Sequence, residues 1–172
     1  MKGSELKKLS FLDRGVAQIA FVVEDLEKTV ENYYKSFGIG PWHFYTYEKP
    51  LIKTMSINGK PADYRMRIAL SYFGSTRIEL IQDLDGDTVY RDFISKHGYG
   101  VQHLGFLVDD MATAIKEAEE AGLRMTMDGT GFGLDGDGHY AYFETDEELG
   151  TTIELIQRPR AKHPPEKIYP EL

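Results

Sequence analysis

Four polar residues with the chemistry of metal ligands occupy matched places in two internal repeats of this sequence. The segments VAQIAFVVEDLEKTV and VQHLGFLVDDMATAI align without a gap at an offset of 85 residues, which places Gln18 opposite His103. The pentapeptide IELIQ occurs twice at an offset of 75 residues and places Glu79 opposite Glu154. An imidazole, two carboxylates and an amide together are donors that suit a divalent cation such as Mn, Co, Ni, Zn or Mg.

The alternation of side chains along a strand decides which way these four residues point. In their own segments, each of them alternates with Ile, Leu, Phe or Val residues. Successive side chains of a strand face opposite sides of the sheet, so the polar set and the apolar set lie on different faces. If the apolar set packs against helices, the four polar residues share the helix-free face. Burying two carboxylates together is costly without a cation, so the pattern predicts a bound metal.

The elements that position these residues repeat as well. Asp25 is placed to cap a helix from about Leu26 to Phe37, which Gly38 would end, and Asp110 is placed to cap a second helix from Met111 to Ala121. Strands are expected at HFYTY, MRIALSYF and RIELIQ in the first repeat, and at RMTM, HYAYFE and TTIELIQ in the second. The repeats therefore predict an α+β fold of two βαβββ modules, which form one curved mixed sheet with helices on its convex face.

The domain organisation follows from the repeats. We expect an N-terminal extension over residues 1–14 and a single domain over residues 15–157, whose two repeats cover about 15–83 and 100–157. The segment 158–172 is rich in proline and is expected to be extended, either flexible or lying across a partner subunit.

Composition narrows the classes of partner. The chain has 172 residues, a formal net charge of −8 and 0 cysteines, so thiolate chemistry is excluded and nucleic acid or an anionic membrane is disfavoured. The sequence has neither a membrane-length apolar run nor the apolar stretch of a secretory signal, which favours a cytoplasmic location. Small molecules are the expected partners.

The chain resembles the glyoxalase and methylmalonyl-CoA epimerase branch of the vicinal oxygen chelate superfamily. The closest stretch is YRDFISKHGYGVQHLGFLVDDMATAIKEAEEAG, which is similar to the epimerase pattern of a helix, a Gly-x-Gly turn, a strand with a ligand His, and a further helix. The resemblance implies one divalent ion held by the first and last strands of each module, at Gln18, Glu79, His103 and Glu154. Epimerases usually carry His where this chain has Gln18, whereas glyoxalase I members can use Gln there.

The resemblance and the metal chemistry together predict a metal-dependent epimerase or racemase. Such an isomerase would abstract a proton next to a carbonyl group, with Glu154 or Glu79 as the catalytic proton carrier. The alternatives are a glyoxalase I-like lyase and a non-catalytic binding protein of the bleomycin-resistance kind. Glyoxalase-like modules commonly pair, so we expect a homodimer.

An aromatic segment follows the first predicted helix. Trp42, Tyr45 and Tyr47 would form a flat substrate pocket there, for which an aromatic or cyclic ketone is a candidate. Core packing or a dimer contact is the alternative explanation of the cluster. Epimerases have a further glutamate in the corresponding stretch, so Glu48 is either a second acid-base group or a surface carboxylate.

Overall fold

The computed structural model describes residues 8–171, which form a single mixed sheet with helices packed against it. The strands are β1 (Gln18–Val22), β2 (Trp42–Tyr47), β3 (Thr54–Ile57), β4 (Lys60–Pro61), β5 (Arg65–Phe73), β6 (Thr76–Asp85), β7 (Gly100–Leu107), β8 (Met125–Phe132), β9 (Gly138–Phe143), β10 (Thr152–Gln157) and β11 (Lys167–Tyr169). The helices are α1 (Leu26–Phe37), α2 (Val89–His97), α3 (Met111–Glu120) and α4 (Asp146–Leu149).

The sheet consists of two modules that meet at its centre. Its strand order is β11-β2-β5-β6-β1-β7-β10-β9-β8-β3-β4. The first module contributes β2-β5-β6-β1 and the second contributes β7-β10-β9-β8, in the mirrored order that a pseudo-twofold axis between β1 and β7 would produce. Strands β1 and β6 pair in parallel, as do β7 and β10, whereas β1 and β7 are antiparallel. The predicted glyoxalase-like architecture, a curved mixed sheet of two related modules, is confirmed.

The sheet curls until its two ends approach each other. The first module carries an excursion, β3 and β4, which leaves after β2 and pairs with β8 of the second module. As a result Tyr47 of β2 stacks on Tyr140 of β9, with the two ring centroids 6.0 Å apart. The concave face therefore forms a cavity between the two ends of the sheet.

Both predicted helix starts are confirmed by their caps. The Asp25 side chain accepts a hydrogen bond from the backbone N–H of Lys28, and the Asp110 side chain accepts one from the backbone N–H of Thr113. Gly38 adopts the left-handed conformation that ends α1. Helix α3 ends at Glu120, one residue before the predicted end.

The alternation of faces is also as predicted. Helix α1 covers a core that includes Leu80 of β6, with Ile19 and Phe21 of β1 packed against it. The core beneath α3 likewise includes Phe106 and Leu155. The intervening residues of these strands, such as Ala20 and Val22, face the concave side. The four polar residues of the repeats have this second parity and point away from α1 and α3. The predicted helix-free face is wrong for α2, because Tyr90 of that helix belongs to the concave-side core and its hydroxyl lies 2.6 Å from that of Tyr142.

The C-terminal segment folds onto its own chain as an ordered strand, in contrast to the expected flexible tail, and a contact with a partner subunit stays a prediction. Strand β11 pairs antiparallel with β2, and Lys167 Nζ lies 2.7 Å from Glu27 Oε2 on α1. The tail thus covers an edge strand that would otherwise expose unpaired backbone groups. At the other end, the described part of the predicted N-terminal extension has a short 3-10 helix (Ser10–Arg14), whose Phe11 joins the core beneath α3. No helix within residues 8–171 is both long and apolar enough to cross a membrane.

Candidate metal-binding active site

Four polar residues converge where the two modules meet, and we call them the central cluster (Gln18, Glu79, His103 and Glu154). Gln18 and His103 lie on the central strands β1 and β7, and the two glutamates lie on the neighbouring strands β6 and β10. His103 Nε2 is 2.9 Å from Glu154 Oε2 and 3.4 Å from Glu79 Oε2. Ligand atoms of these three side chains all lie within 4.8 Å of one another, and all three residues are buried.

A glycine makes room for this convergence. Gly105 lies between Gln18 and Glu154, since it is the register partner of both. A Cβ atom at Gly105 would lie 3.0 Å from the Gln18 Cβ, 3.2 Å from Glu154 Oε2 and 2.8 Å from the Ile156 Cδ1. Because Gly105 has no side chain, Gln18 of the first module and Glu154 of the second can approach each other across it.

The imidazole of His103 is oriented from behind by its neighbour in sequence. Its Nδ1 lies 2.6 Å from Oε1 of Gln102, an acceptor, so Nδ1 carries the hydrogen and Nε2 faces the carboxylates. The ring edge of Tyr142 packs against the imidazole at a centroid distance of 5.0 Å. This arrangement, with one ring nitrogen fixed by a hydrogen bond and the other directed at two carboxylates, is typical of metal-ligating histidines.

The electrostatics of the cluster favour a positive charge at its centre. Burial lowers the pKa of His103, but the charges and hydrogen bonds of Glu154 and Glu79 outweigh it and raise this pKa to about 9. A proton on the imidazole therefore partly neutralises the two buried carboxylates. A divalent ion would supply more positive charge at the same place, and carboxylate and imidazole donors suit it, so the residues present fit a metal.

Gln18 belongs to the cluster but presents its nitrogen to it. The amide Nε2 donates to Glu79 Oε2 at 2.8 Å and to Glu154 Oε2 at 3.0 Å. The amide Oε1 accepts a hydrogen bond of 2.5 Å from Nε of Arg77. Coordination by Oε1 would require the amide to rotate and to lose this bond. The ligand role predicted for Gln18 therefore stays a prediction, whereas the other three side chains already present ligand atoms.

The two glutamates of the central cluster line a cavity on the concave face that is partly open to solvent. Apolar and aromatic side chains form most of the wall, namely Tyr45, Tyr47, Leu51, Leu70, Phe132, Tyr140 and Ile156. Burial raises the pKa of both Tyr47 and Tyr140 well above its ordinary value, so their hydroxyls stay protonated. These phenols therefore do not act as bases.

Two of the three aromatic residues predicted for the pocket are found there. Tyr45 and Tyr47 line the cavity, but Trp42 lies on the opposite face of β2, where it is fully buried in the core beneath α1. Its indole N–H donates to the backbone oxygen of Ile39 at 2.7 Å. The parity of the strand separates them, because residue 42 alternates with residues 45 and 47. The placement does not support a substrate contact for Trp42.

Glu48 lies outside the cavity wall and forms an ion pair with Arg65 on the protein surface. The structure therefore favours the surface carboxylate over the second acid-base group.

Sequence reasoning missed three basic residues of the cavity, and we call them the basic cluster (Arg77, Arg158 and Lys162). Parity could have found two of them. Arg77 precedes Glu79 by two residues and Arg158 follows Glu154 by four, so both share the face of those glutamates. Lys162 had no such signal, because its position depends on how the tail folds back.

Comparisons with known proteins agree with this geometry. The model of the Glyoxalase/Bleomycin resistance protein/Dioxygenase superfamily matches residues 17–143. The chain belongs to this superfamily. A search of curated proteins gives no significant match.

Solved structures share the glyoxalase-like fold at low sequence identity. Methylmalonyl-CoA epimerase from Mycobacterium tuberculosis is 22% identical with a TM-score of 0.57, covering 84% of this chain and 87% of the epimerase. A Streptomyces coelicolor methylmalonyl-CoA epimerase variant in complex with 2-nitronate-propionyl-CoA is 19% identical with a TM-score of 0.60, covering 87% and 97%. A hypothetical protein from Bacillus halodurans C-125 is 20% identical with a TM-score of 0.59, covering 86% and 96%.

The superfamily match covers only part of the site. Gln18, Glu79 and His103 fall within the matched residues, whereas Glu154 and the tail lie beyond them. The inclusion of Glu154 in the central cluster therefore rests on the internal repeat and on the distances in the structure.

Proposed function

We propose that this chain is a metal-dependent isomerase, an epimerase or racemase, that removes and returns a proton on a carbon next to a carbonyl group. The observation that carries the proposal is the buried group of Glu79, His103 and Glu154, whose glutamates line a cavity with a largely aromatic and aliphatic wall. These three residues would hold one divalent ion, such as Mn, Co, Ni, Zn or Mg. When bound, such an ion supplies Lewis acidity that stabilises negative charge on a carbonyl oxygen by roughly several kcal/mol.

The chain's own part in this chemistry is to move the proton and to exclude water. Glu154 and Glu79 are the carboxylates on the cavity wall, so one of them would accept the proton from one face of the substrate carbon and the other would deliver a proton to the opposite face, which inverts that carbon. The neighbouring phenols of Tyr47 and Tyr140 remain protonated, as described above, and contribute apolar ring surface. The aromatic wall favours a substrate with a flat apolar part, such as an aromatic or cyclic ketone.

Exchange of deuterium from solvent tests this proposal. The protein is incubated in D₂O with a panel of aromatic and cyclic carbonyl compounds, and loss of the proton next to the carbonyl is followed by NMR. We expect Glu154→Gln to keep the fold and much of the metal but to abolish exchange, because an amide cannot accept the proton. Glu154→Ala should lose both metal and exchange.

Matched controls make the result decisive. Glu79→Gln tests the second cavity carboxylate, and Glu48→Gln removes a glutamate outside the cavity wall, so only the latter should exchange at the parent rate. If Glu154→Gln and Glu79→Gln both exchanged as fast as the parent protein, the carboxylate mechanism would be wrong.

One feature favours a second candidate, a non-catalytic binding protein of the bleomycin-resistance kind. The amide nitrogen of Gln18 lies within hydrogen-bond distance of both glutamates and already stabilises them without an ion. Metal analysis of protein purified without chelators separates the candidates. We expect about one equivalent of divalent metal per chain, whereas a metal-replete preparation without a bound ion would favour the binding protein.

A glyoxalase I-like lyase is a further alternative, because glyoxalase I members can use Gln at the position of Gln18. Assays with glutathione adducts of ketoaldehydes test it.

We also infer a homodimer in the cytoplasm. Membership of the superfamily supports association with a second copy, because glyoxalase-like modules commonly pair. Light scattering at micromolar concentration tests it, and a monodisperse monomer would contradict it.

A further inference from the structure

Three cations of the cavity wall come from separate parts of the chain. Arg77 is on β6, Arg158 directly follows β10, and Lys162 is on the tail segment that leads to β11. Arg77 is only 7% exposed. The basic cluster is thus assembled by the fold and shares the cavity with the two glutamates of the central cluster.

The basic cluster has no carboxylate partner. Within residues 8–171, no ion pair within 4 Å includes Arg77, Arg158 or Lys162. In the described part of the chain, Nε of Arg158 is also the one buried side-chain polar atom without a hydrogen-bond partner. An unsatisfied buried donor is costly, so this N–H is placed to donate to an acceptor group that enters the cavity.

Other cations of the same tail are paired, which shows that carboxylates are available to it. Nε of Arg160 lies 3.0 Å from Asp137 Oδ2, and Lys167 Nζ lies 2.7 Å from Glu27 Oε2. The cations that face the cavity are the ones left without an acidic partner. The chain as a whole has a net charge of −8, so this local excess of positive charge is not a consequence of composition.

The cations also repel one another. Burial lowers the pKa of Arg158, and the charge of Arg77 lowers it further. Desolvation of its amino group, followed by the charges of Arg77 and Arg158, lowers the pKa of Lys162, although that residue as a whole is exposed. An anion among the three side chains would relieve this repulsion and satisfy Arg158 Nε.

The spacing along β6 limits the size of the ligand. Arg77 and Glu79 are two residues apart on one face of the strand, a separation of about 7 Å. One amide also bridges their head groups, because Arg77 Nε donates to Gln18 Oε1 and Gln18 Nε2 donates to Glu79 Oε2 at 2.8 Å. An anionic group on Arg77 is therefore only a few bonds from a carbonyl beside Glu79. In a coenzyme A thioester, by contrast, the phosphates are separated from the carbonyl by the whole pantetheine arm.

We propose that Arg77, Arg158 and Lys162 form an anion-binding subsite, and that the substrate is a compact carbonyl compound with an apolar ring and a carboxylate or phosphate group of its own. The inference rests on the proposed function for the carbonyl and on the basic cluster for the anion. It changes the expected substrate from a neutral ketone to an anionic one.

Calorimetric titration of the full-length protein, in a buffer free of phosphate and carboxylate, tests the subsite. The probes are phenylacetate, phenyl phosphate, the neutral phenylacetamide and coenzyme A. A charge-assisted hydrogen bond contributes more than a neutral one, so phenylacetate or phenyl phosphate should bind about tenfold more tightly than phenylacetamide. Which of the two anions binds more tightly distinguishes a carboxylate from a phosphate substrate.

Variants with matched controls locate the binding site. Arg158→Gln should weaken binding of the anionic probe about tenfold, and Lys162→Gln about threefold, because Lys162 is more exposed. Arg158→Lys should restore most of the loss, and Arg160→Gln should bind like the parent. The affinity for phenylacetamide should be equal in all variants, which shows that the cavity is intact.

Clear outcomes would overturn the inference. The subsite would be wrong if phenylacetamide bound as tightly as the anions, or if Arg160→Gln lost as much affinity as Arg158→Gln. If coenzyme A bound more tightly than phenyl phosphate and depended on Arg158, the anion would belong to a larger ligand. Anion binding without any deuterium exchange would refute the isomerase and keep the subsite. If neutral and anionic ketones exchanged deuterium at equal rates, and Arg158→Gln left those rates unchanged, the anion subsite would be refuted and the isomerase would be kept.

Discussion

The two modules share one strand plan but hold their central polar side chains in different ways. In the second module, Gln102 accepts from Nδ1 of His103 and leaves Nε2 facing the glutamates. In the first module, Arg77 donates to Oε1 of Gln18 and leaves the amide nitrogen facing them. One side chain is therefore oriented to accept a cation, and the other is oriented to donate hydrogen bonds.

The difference shows what the repeat determines. The repeat sets the positions of the four polar residues, because it sets the strand and the parity of each. It does not set the orienting partners, since Arg77 corresponds to Thr152 at an offset of 75, and Gln102 corresponds to Ala17 at an offset of 85. Position is thus common to the modules, and the atom that faces the centre is specific to each.

A second difference lies in the connections. The first module inserts β3 and β4 between β2 and β5, whereas β8 and β9 of the second module are joined by a short turn. Ile52 and Met55 of the inserted stretch are buried in the core of the concave side. The longer module therefore closes the cavity, and this asymmetry explains the unequal offsets of the repeats.

The largest expected effect is a difference in metal affinity between variants of the two central side chains, His103 and Gln18. His103→Ala should lower metal affinity by at least about a hundredfold, because it removes a ligand and its orienting bond. Gln18→Ala should lower it less than about tenfold, since water can replace a neutral amide. Metal affinity is measured by competition with a chelating dye. Equal losses in the two variants would show that the modules contribute equivalent ligands.

The next effect concerns the glycine between the modules. Gly105→Ala should destabilise the protein by about 1–3 kcal/mol, because the new methyl group meets Gln18, Glu154 and Ile156. It should also weaken metal binding by moving those residues apart. The equivalent position in the first module is Ala20, and Ala20→Gly should cost about 1 kcal/mol without changing metal affinity. Urea denaturation and the same dye competition measure both, and unchanged metal affinity in Gly105→Ala would contradict the role of Gly105.

Much of the fold could be predicted because its signals are local. Asp25 and Asp110 cap helices through contacts within one turn, and period-2 alternation places Gln18 and His103 on the concave face. The repeat then predicted that the four residues of the central cluster, which are distant in sequence, lie together. These signals depend on positions a few residues apart or on a register shared by two segments.

The parts that were missed depend on contacts distant in sequence. Strand β3 pairs with β8 across the module boundary, and β11 pairs with β2 from the far end of the chain. No periodicity indicates such partners. Lys162 lies on the segment that leads to β11, so its position depends on the pairing of β11 with β2 and could not be predicted from its own neighbours in sequence. Trp42 was assigned to the pocket by its residue type, and strand parity argues against it.

The orienting residue of His103 should have a moderate effect. Gln102→Leu removes the acceptor for Nδ1, so the ring can adopt other orientations and the other tautomer. Metal affinity should fall about tenfold, as for other residues that orient a ligating histidine. Gln102→Glu restores an acceptor and should recover most of the affinity. A Gln102→Leu protein with parent affinity would show that packing against Tyr142 alone holds the ring.

The smallest expected effect tests the orienting residue of Gln18. Arg77→Met frees Oε1 of Gln18 to turn towards the ion and also removes a nearby positive charge, so metal affinity should rise, by about threefold. The two causes separate in a double-mutant cycle, because the loss of charge acts in any background and rotation of the amide needs the amide. In the Gln18→Ala background the gain from Arg77→Met should therefore be smaller, and the difference measures how strongly Arg77 keeps Gln18 from coordinating. If the gain were the same in both backgrounds, Arg77 would affect metal affinity by its charge alone, and its hydrogen bond to Gln18 would not be what keeps that amide from coordinating.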